Sequence, residues 1–344
     1  MRSAETLAGR VYVCPLIDDQ RIEVLVRRAG AVETWTAPCD EVLTWALREG
    51  EDVGDYVAGL LEHFGTTPPP FAGLNLTAPH IMGIVNVTPD SFSDGGETVT
   101  REAALDRGCA FAEEGADLID VGGESTRPGS DPVTMEVERD RVVPAVTALA
   151  DAGLTVSIDS RRTAVITAAV AAGARVVNDV TALTGDEGSL EAVAAAGVDV
   201  VLMHMQGEPA TMQKDPQYTD VAIDVYDYLA ARIAACEAVG IPRSRIAIDP
   251  GIGFGKAIQH NLRILNRLAM FRGLGCAVVV GVSRKSFMNK LSPTLPAGER
   301  LGGSIAGGLA AVRRGAHILR VHDVAQTRQA LDVWRAIEGA GDDT

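Results

Sequence analysis

The chain has no Cys-x-x-Cys pair, no long apolar run and no surplus of positive charge, and each absence closes a class of function. Its five cysteines, Cys14, Cys39, Cys109, Cys236 and Cys276, are odd in number and scattered. A disulfide framework or a zinc ribbon needs paired spacings that these do not offer. They read as buried free thiols of a reducing cytosol. No stretch reaches the ~18 uninterrupted apolar residues of a membrane helix. Arg2 and Glu5 are followed by no apolar segment of the signal-peptide kind, so a cytoplasmic protein without membrane contact is expected. Lys and Arg number 31 against 46 Asp and Glu, a formal net charge of -15. Nonspecific binding to nucleic acid or to an anionic membrane requires a basic surface and is excluded. A small anionic substrate in a locally basic pocket is not.

What is present is ordinary globular material: 344 residues, 47% hydrophobic and 22% charged, enough to bury a large core. The first 75 residues differ from the rest. Residues 11–17 and 22–26 read as two short strands around the polar turn Asp18-Asp19-Gln20. Asp40 is placed to cap a helix running from 41 to beyond 45, and a second helix is expected over 53–64. The run Thr66-Thr67-Pro68-Pro69-Pro70 then breaks structure, because proline lacks a donor and restricts its predecessor. Residues 1–75 are therefore read as a small α+β extension, a packing accessory rather than a regulatory module, joined by a linker to a domain over 76–340.

In that second part, short β-branched segments alternate with Ala-, Leu- and Glu-rich stretches. The segments are 81–87, 118–121, 156–158, 176–178, 200–203, 246–248, 278–282 and 318–321. They are almost continuously apolar, as strands buried on both faces must be. Between them, 225–238 and 302–313 show helical periodicity. Eight strand–helix units in about 260 residues predict a (β/α)₈ TIM barrel over a doubly wound sheet.

In such a barrel the residues just past the strands' C-terminal ends converge on one mouth. Here they are Asn86; Glu124 with Thr126 and Arg127; Asp159; Asn178; His204; Asp249; Ser283 with Lys285; and Arg320 with His322. One or two polar strand ends would be ordinary loop chemistry, but every strand ends this way. Asp159, Asn178 and Asp249 offer acceptors suited to a flat heterocycle with adjacent N–H donors, since a carboxylate accepts two parallel charge-assisted bonds. Arg127, Lys285, Arg320 and His322 bring positive charge for a phosphate or pyrophosphate. The amide oxygen of Asn86 beside a pyrophosphate suits Mg²⁺, which takes few protein ligands and keeps phosphate oxygens and water. His204, between Met203 and Met205, reads equally as a near-core histidine or a site residue. Lys256 after Gly251-Ile252-Gly253-Phe254-Gly255 imitates a P-loop, but Pro250 replaces the first glycine and Ala257 the Ser or Thr. Those glycines are read as permitting a tight loop around a ligand.

The same residues lie in eight ordered runs that resemble dihydropteroate synthase. They are 81–96 with Asn86-Val87-Thr88-Pro89-Asp90-Ser91-Phe92, Asp120-Val121-Gly122-Gly123-Glu124-Ser125-Thr126-Arg127-Pro128-Gly129, Ile158-Asp159-Ser160 and Asn178-Asp179, then 202–207, Asp249 to Lys256, Ser283-Arg284-Lys285-Ser286 and Arg320-Val321-His322-Asp323. The resemblance covers about 76–340. It implies condensation of a dihydropterin pyrophosphate with p-aminobenzoate, with Mg²⁺, a homodimer and sulfonamide inhibition. It also implies that Asn86 places the metal and the pyrophosphate. Asp159, Asn178, Asp249 and Lys285 would hold the pterin, near Met203, Phe254 and the backbone of Gly281. Arg320 would stack on the pterin and, with His322, bind the leaving group. Phe92, Thr126, Arg127, Pro128 and Ser283 would shape the p-aminobenzoate subsite, and the Asp90 and Arg127 loops would close over it. The competing expectations are a pterin-binding methyltransferase barrel, a Schiff-base enzyme using Lys285, and a noncatalytic paralogue. The resemblance is silent on residues 1–75.

Overall fold

Short runs of Val, Ile, Leu and Ala with no polar alternation can only pair where both faces are covered, and that is how they are used. The computed structural model describes residues 10–17, 20–28, 31–88, 101–124, 133–208 and 211–340. Counting from the N-terminus, the fourth to eleventh strands are β4 (His80–Asn86), β5 (Leu118–Gly122), β6 (Val156–Asp159), β7 (Val176–Asp179), β8 (Asp199–Met203), β9 (Ile246–Asp249), β10 (Ala277–Val280) and β11 (Ile318–Val321). All pair in parallel and close into a barrel, with β11 joined to β4. The outer ring is α3 (Arg101–Glu113), α4 (Met135–Asp151), α5 (Thr163–Ala171), α6 (Ser189–Ala196), α7 (Val221–Ala238), α8 (Ile258–Asn266), α9 (Leu301–Arg313) and α10 (Val324–Gly339). The TIM barrel predicted from the sequence is present, with strand bounds shifted by one or two residues.

Alternation along each strand divides the core in two. Ile81, Ile119, Val177, Val200, Ile248 and Leu319 point outward into one continuous core with the helices. Met82, Leu118, Val176, Val201, Ala247, Val279 and Ile318 point inward and fill the lower half of the barrel. Further up five of the eight strands the inward side chains turn polar: Asp120, Ser157, Asn178, Asp249 and Arg320. The fold thus sets a dry apolar floor beneath a polar mouth.

The extension contains β1 (Val11–Pro15), β2 (Arg21–Arg28), β3 (Ala31–Pro38), α1 (Cys39–Glu49) and α2 (Glu51–Gly65). Its strands form an antiparallel sheet in the order β1-β2-β3. Two expectations are corrected here. A third strand, β3, follows the two that were expected. Its face is largely exposed, so it carries no alternating apolar signal. Asp40 does not cap α1: Pro38 occupies that position without a side-chain bond, and Asp40 lies in the first turn, where its charge opposes the positive end of the helix dipole.

Strands β1 and β2 are buried on both sides. Val11, Val13, Val24 and Val26 face α1 and α2. Tyr12, Cys14 and Leu25 face the barrel and join its main core. Polar ties reinforce the seam. The Tyr12 hydroxyl donates to Asp227 at 2.9 Å, and Arg27 pairs with Asp224 and Asp227. Arg267 bridges Glu23 at 2.6 Å and Asp220 at 3.0 Å.

The segment after the proline run is more than a connector. Phe71 and Leu76 join the inward apolar cluster, with Leu74 packed against it, and so plug the lower end of the barrel. The Ala72 backbone N–H donates to Asp199 at 2.8 Å. Physically, residues 71–75 go with the barrel rather than with the extension.

Candidate active site

Parallel strands in a closed barrel bring their C-terminal ends together irrespective of their distance in sequence. Arg320 on β11 is the hub. Its Nε donates to Asp120 at 2.6 Å and its Nη2 to Asp159 at 2.7 Å, so one guanidinium joins β5, β6 and β11. Asn178 Nδ2 on β7 donates to the same Asp120 oxygen at 3.1 Å. Asp249 on β9 accepts from the Gly251 backbone at 2.7 Å. Its other oxygen lies 3.9 Å from where a Cβ on Gly281 would stand, and that position is equally 3.9 Å from Arg320 Cβ. The bare backbone of Gly281 therefore forms a flat strip between Asp249 and Arg320.

The electrostatics follow from burial. Asp159 is raised to about 7, by burial foremost; Arg320 opposes the rise and Asp120 adds to it. Asp249 is also raised by burial, against the pull of the Gly251 N–H, Lys285 and Arg320. Burial works against the Arg320 charge, but Asp120 and Asp159 outweigh it and raise its pKa. Burial that disfavours these carboxylates by stripping them of water is offset by a ligand able to donate hydrogen bonds to them.

Just past β10, between the ends of β9 and β11, the chain kinks. Arg284 adopts φ 58°, and its side chain turns away to Asp323. This kink sits between Ser283 and Lys285. Ser283 Oγ lies 3.0 Å from His322 Nδ1 and accepts from the His322 backbone at 3.2 Å. Lys285 Nζ sits 4.1 Å above the Phe254 ring, a cation–π contact. Met203 is buried at the end of β8, and Asn86 is half-buried at the end of β4.

Asn86, Asp159, Asn178, Met203, Asp249, Phe254, Gly281, Ser283, Lys285, Arg320 and His322 thus all lie at the mouth end of the barrel, on the strand ends and the loops that follow them. Phe92, Thr126, Arg127 and Pro128, and the Asp90 loop, lie outside the described residues. Glu124 is turned outward: it accepts from Arg162 at 3.0 Å and from the Val133 backbone at 3.2 Å. His204 is buried against Lys256 at 2.9 Å and edge-on to Tyr228, which settles it as a core histidine.

Asp120 was missed among the candidate site residues. A lone acid inside Leu118-Ile119-Asp120-Val121 stands one inward position below the strand end, so it does not show among the polar strand ends. The usable signal was a charge in an otherwise apolar strand, which needs a buried partner. Arg320 and Asn178 occupy Asp120 Oδ2, and Oδ1 has no hydrogen-bond partner among the described residues.

A barrel with this mouth defines an enzyme that grips a flat polar heterocycle beside an anion. A family model described as a pterin binding enzyme matches residues 82–322. The dihydropteroate synthase of Escherichia coli K12 is 46% identical over 264 residues, covering 76% of this chain and 93% of that protein. The structure of Xanthomonas albilineans dihydropteroate synthase with 4-aminobenzoic acid superposes with a TM-score of 0.74 at 48% identity, over 80% of this chain and all of that one. The Burkholderia cenocepacia dihydropteroate synthase complexed with 7,8-dihydropteroate gives 0.74 at 41% identity, over 81% and 100%. The chain belongs to the pterin-binding enzymes, and within them to the dihydropteroate synthases.

Proposed function

We infer that the protein joins 6-hydroxymethyl-7,8-dihydropterin pyrophosphate to p-aminobenzoate, giving 7,8-dihydropteroate and pyrophosphate. The observation that carries this reading is the Arg320 hub, shared by Asp120 and Asp159 and flanked by Asn178 and Asp249. Asp249 and Asn178 accept from and donate to the edge of the pterin. Arg320 covers its face, while Lys285 and Phe254, on the loops after β10 and β9, close the side beside Asp249.

The bond from the pterin methylene to the pyrophosphate oxygen breaks first, and its electron pair leaves with the pyrophosphate. The p-aminobenzoate nitrogen then supplies a lone pair to the methylene carbon and loses a proton. Arg320 and His322 offset the departing negative charge. The buried carboxylates, Asp159 among them, favour the delocalised cation left behind. No covalent nucleophile is involved.

The residues also fit Mg²⁺. Asn86 contributes an amide oxygen at the mouth. A Cβ on Gly122 would stand 3.7 Å from both that oxygen and Asp159 Oδ2, so the glycine keeps a wedge open between them. Among the described residues no three His, Cys, Asp or Glu gather as a metal centre, so the ion would rely on substrate oxygens as this metal ordinarily does. When bound, it adds charge to stabilise the leaving group. Asn86→Ala is expected to raise the Mg²⁺ concentration needed for half-maximal turnover about tenfold; an unchanged requirement would remove Asn86 as a ligand.

The chain is further read as a homodimer of the reducing cytosol. All five cysteines are free thiols, and no helix among the described residues is long and apolar enough to cross a membrane. A sulfonamide should compete with p-aminobenzoate, as one is held by the Yersinia pestis dihydropteroate synthase at 43% identity. Pyrophosphate release that needs both the pterin pyrophosphate and p-aminobenzoate is the deciding assay. Its failure, with methyl transfer in its place, would overturn the reading.

A further inference from the structure

The loop after β9 lies against the loop after β8 more closely than side chains permit. A Cβ at Gly251 would stand 2.0 Å from the His204 carbonyl oxygen, and one at Gly255 only 2.2 Å from that of Gln206. Both glycines hold left-handed φ, 70° and 60°. Two backbones pressed together this way leave carbonyls that water cannot reach, and an unpaired buried carbonyl is costly. Lys256 fills the seam. It is 3% exposed and forms no ion pair among the described residues. Its Nζ lies 2.9 Å from His204 Nδ1, 3.2 Å from His204 O and 2.9 Å from Phe254 O. An ammonium has three donors and no acceptor, and three acceptors surround it.

We propose that Lys256 is a positioning residue for pterin binding, its ammonium tying the β8 and β9 loops so that the Phe254 ring and Asp249 are held at the mouth. This deepens the pterin reading and rests on it.

The geometry reaches the site in two steps. Lys256 grips the carbonyl of Phe254, whose ring lies beneath Lys285 Nζ. The segment between Asp249 and Phe254 is pinned at its other end by the Gly251 N–H on Asp249. The tie also explains His204. Burial foremost, and then Lys256, press its pKa far below the ordinary value, so the ring stays neutral and can accept from the ammonium. Further ties run the same way. The Tyr218 hydroxyl donates to Gly255 O at 2.7 Å, and Gln213 Nε2 donates to Gly253 O.

The device is sensitive to pH. Burial pulls Lys256 down to about 7; Asp249 holds it up and Lys285 pushes it down further. His204 faces it directly, and His260 on α8 feels its charge. Once deprotonated, Lys256 keeps two donors for three acceptors, and the seam loosens as pH rises.

The test uses the full-length protein. In Lys256→Met, the KM for the pterin pyrophosphate should rise about tenfold, with kcat within about twofold and the p-aminobenzoate KM unchanged. In the wild type the pterin KM should rise toward alkaline pH, and that rise should vanish in the variant. A folded variant with the wild-type pterin KM overturns the proposal, as does an equal loss in kcat and both KM values. His204→Leu removes one of the three acceptors and should raise the pterin KM about threefold. It keeps the proposal testable if Lys256→Met does not fold, and an unchanged pterin KM there overturns it. Pyrophosphate release by the wild type separates the two readings. Its absence refutes the synthase, whereas turnover that is indifferent to Lys256 refutes only the tie.

Discussion

In the proposed function Asp249 accepts from the edge of the pterin, which would otherwise be desolvated without a partner. A hydrogen bond to a charged group contributes about 1.5–3 kcal/mol, so Asp249→Ala should weaken pterin binding by about 10- to 150-fold. Calorimetry with a pterin ligand measures this, and unchanged affinity would remove Asp249 from the site. Asp159 makes a second residue-level test, read through stability. Its folded pKa, about 7, stands above the ordinary 3.8. Between those values the folded chain holds a proton that the unfolded chain releases, so stability falls as pH rises through the window. Asp179 and Asp249 are raised by burial too and add slope of the same sign. Asp159→Asn should therefore flatten, without abolishing, the decline of Tm between about pH 4.5 and 7.5. A slope as steep as the wild type's would show that Asp159 does not titrate there. These residues were legible because barrel closure brings strand ends together, and polar strand ends are visible in any sequence. Asp120 was hidden because its position looks like core. Only the pairing with Arg320, 200 residues away in sequence, shows why a charge belongs there.

At the scale of elements, the barrel strands were readable because burial on both faces leaves a continuous apolar run. β3 was not, since an edge strand with an exposed face has no such pattern. The plug was equally hidden: residues 71–76 follow three prolines and look like a connector, yet Phe71 is 1% exposed at the barrel floor. Truncating a buried phenylalanine costs about 3–5 kcal/mol, since the cavity closes only in part. Phe71→Ala should lose stability of that order in denaturant titration while the pterin KM stays within about twofold, because the apolar floor separates plug and mouth. A shift of only a few tenths of a kcal/mol would mean that the barrel seals without it. A shortened protein should for the same reason begin before Phe71 rather than at residue 76.

For the whole molecule the question is what covers the exposed apolar surface. Single exposed aliphatic residues are normal, but α10 presents an ordered set. Val333 is 56% and Ile337 67% exposed, and Ala330, half-buried, stands on the same side at helical spacing. Positions i, i+3 and i+7 form one stripe along a helix. A net charge of -15 keeps chains apart at long range, so association needs a locally apolar face, and this stripe supplies one on the outside of the barrel, away from the mouth. The proposed homodimer is therefore expected to use α10. Sedimentation should give twice the chain mass for the wild type. The double variant Val333→Arg with Ile337→Arg should sediment as a single chain, with its pterin KM nearly unchanged because no mouth residue lies on that face. A double variant that still sediments at twice the chain mass would place the interface on another part of the helical ring.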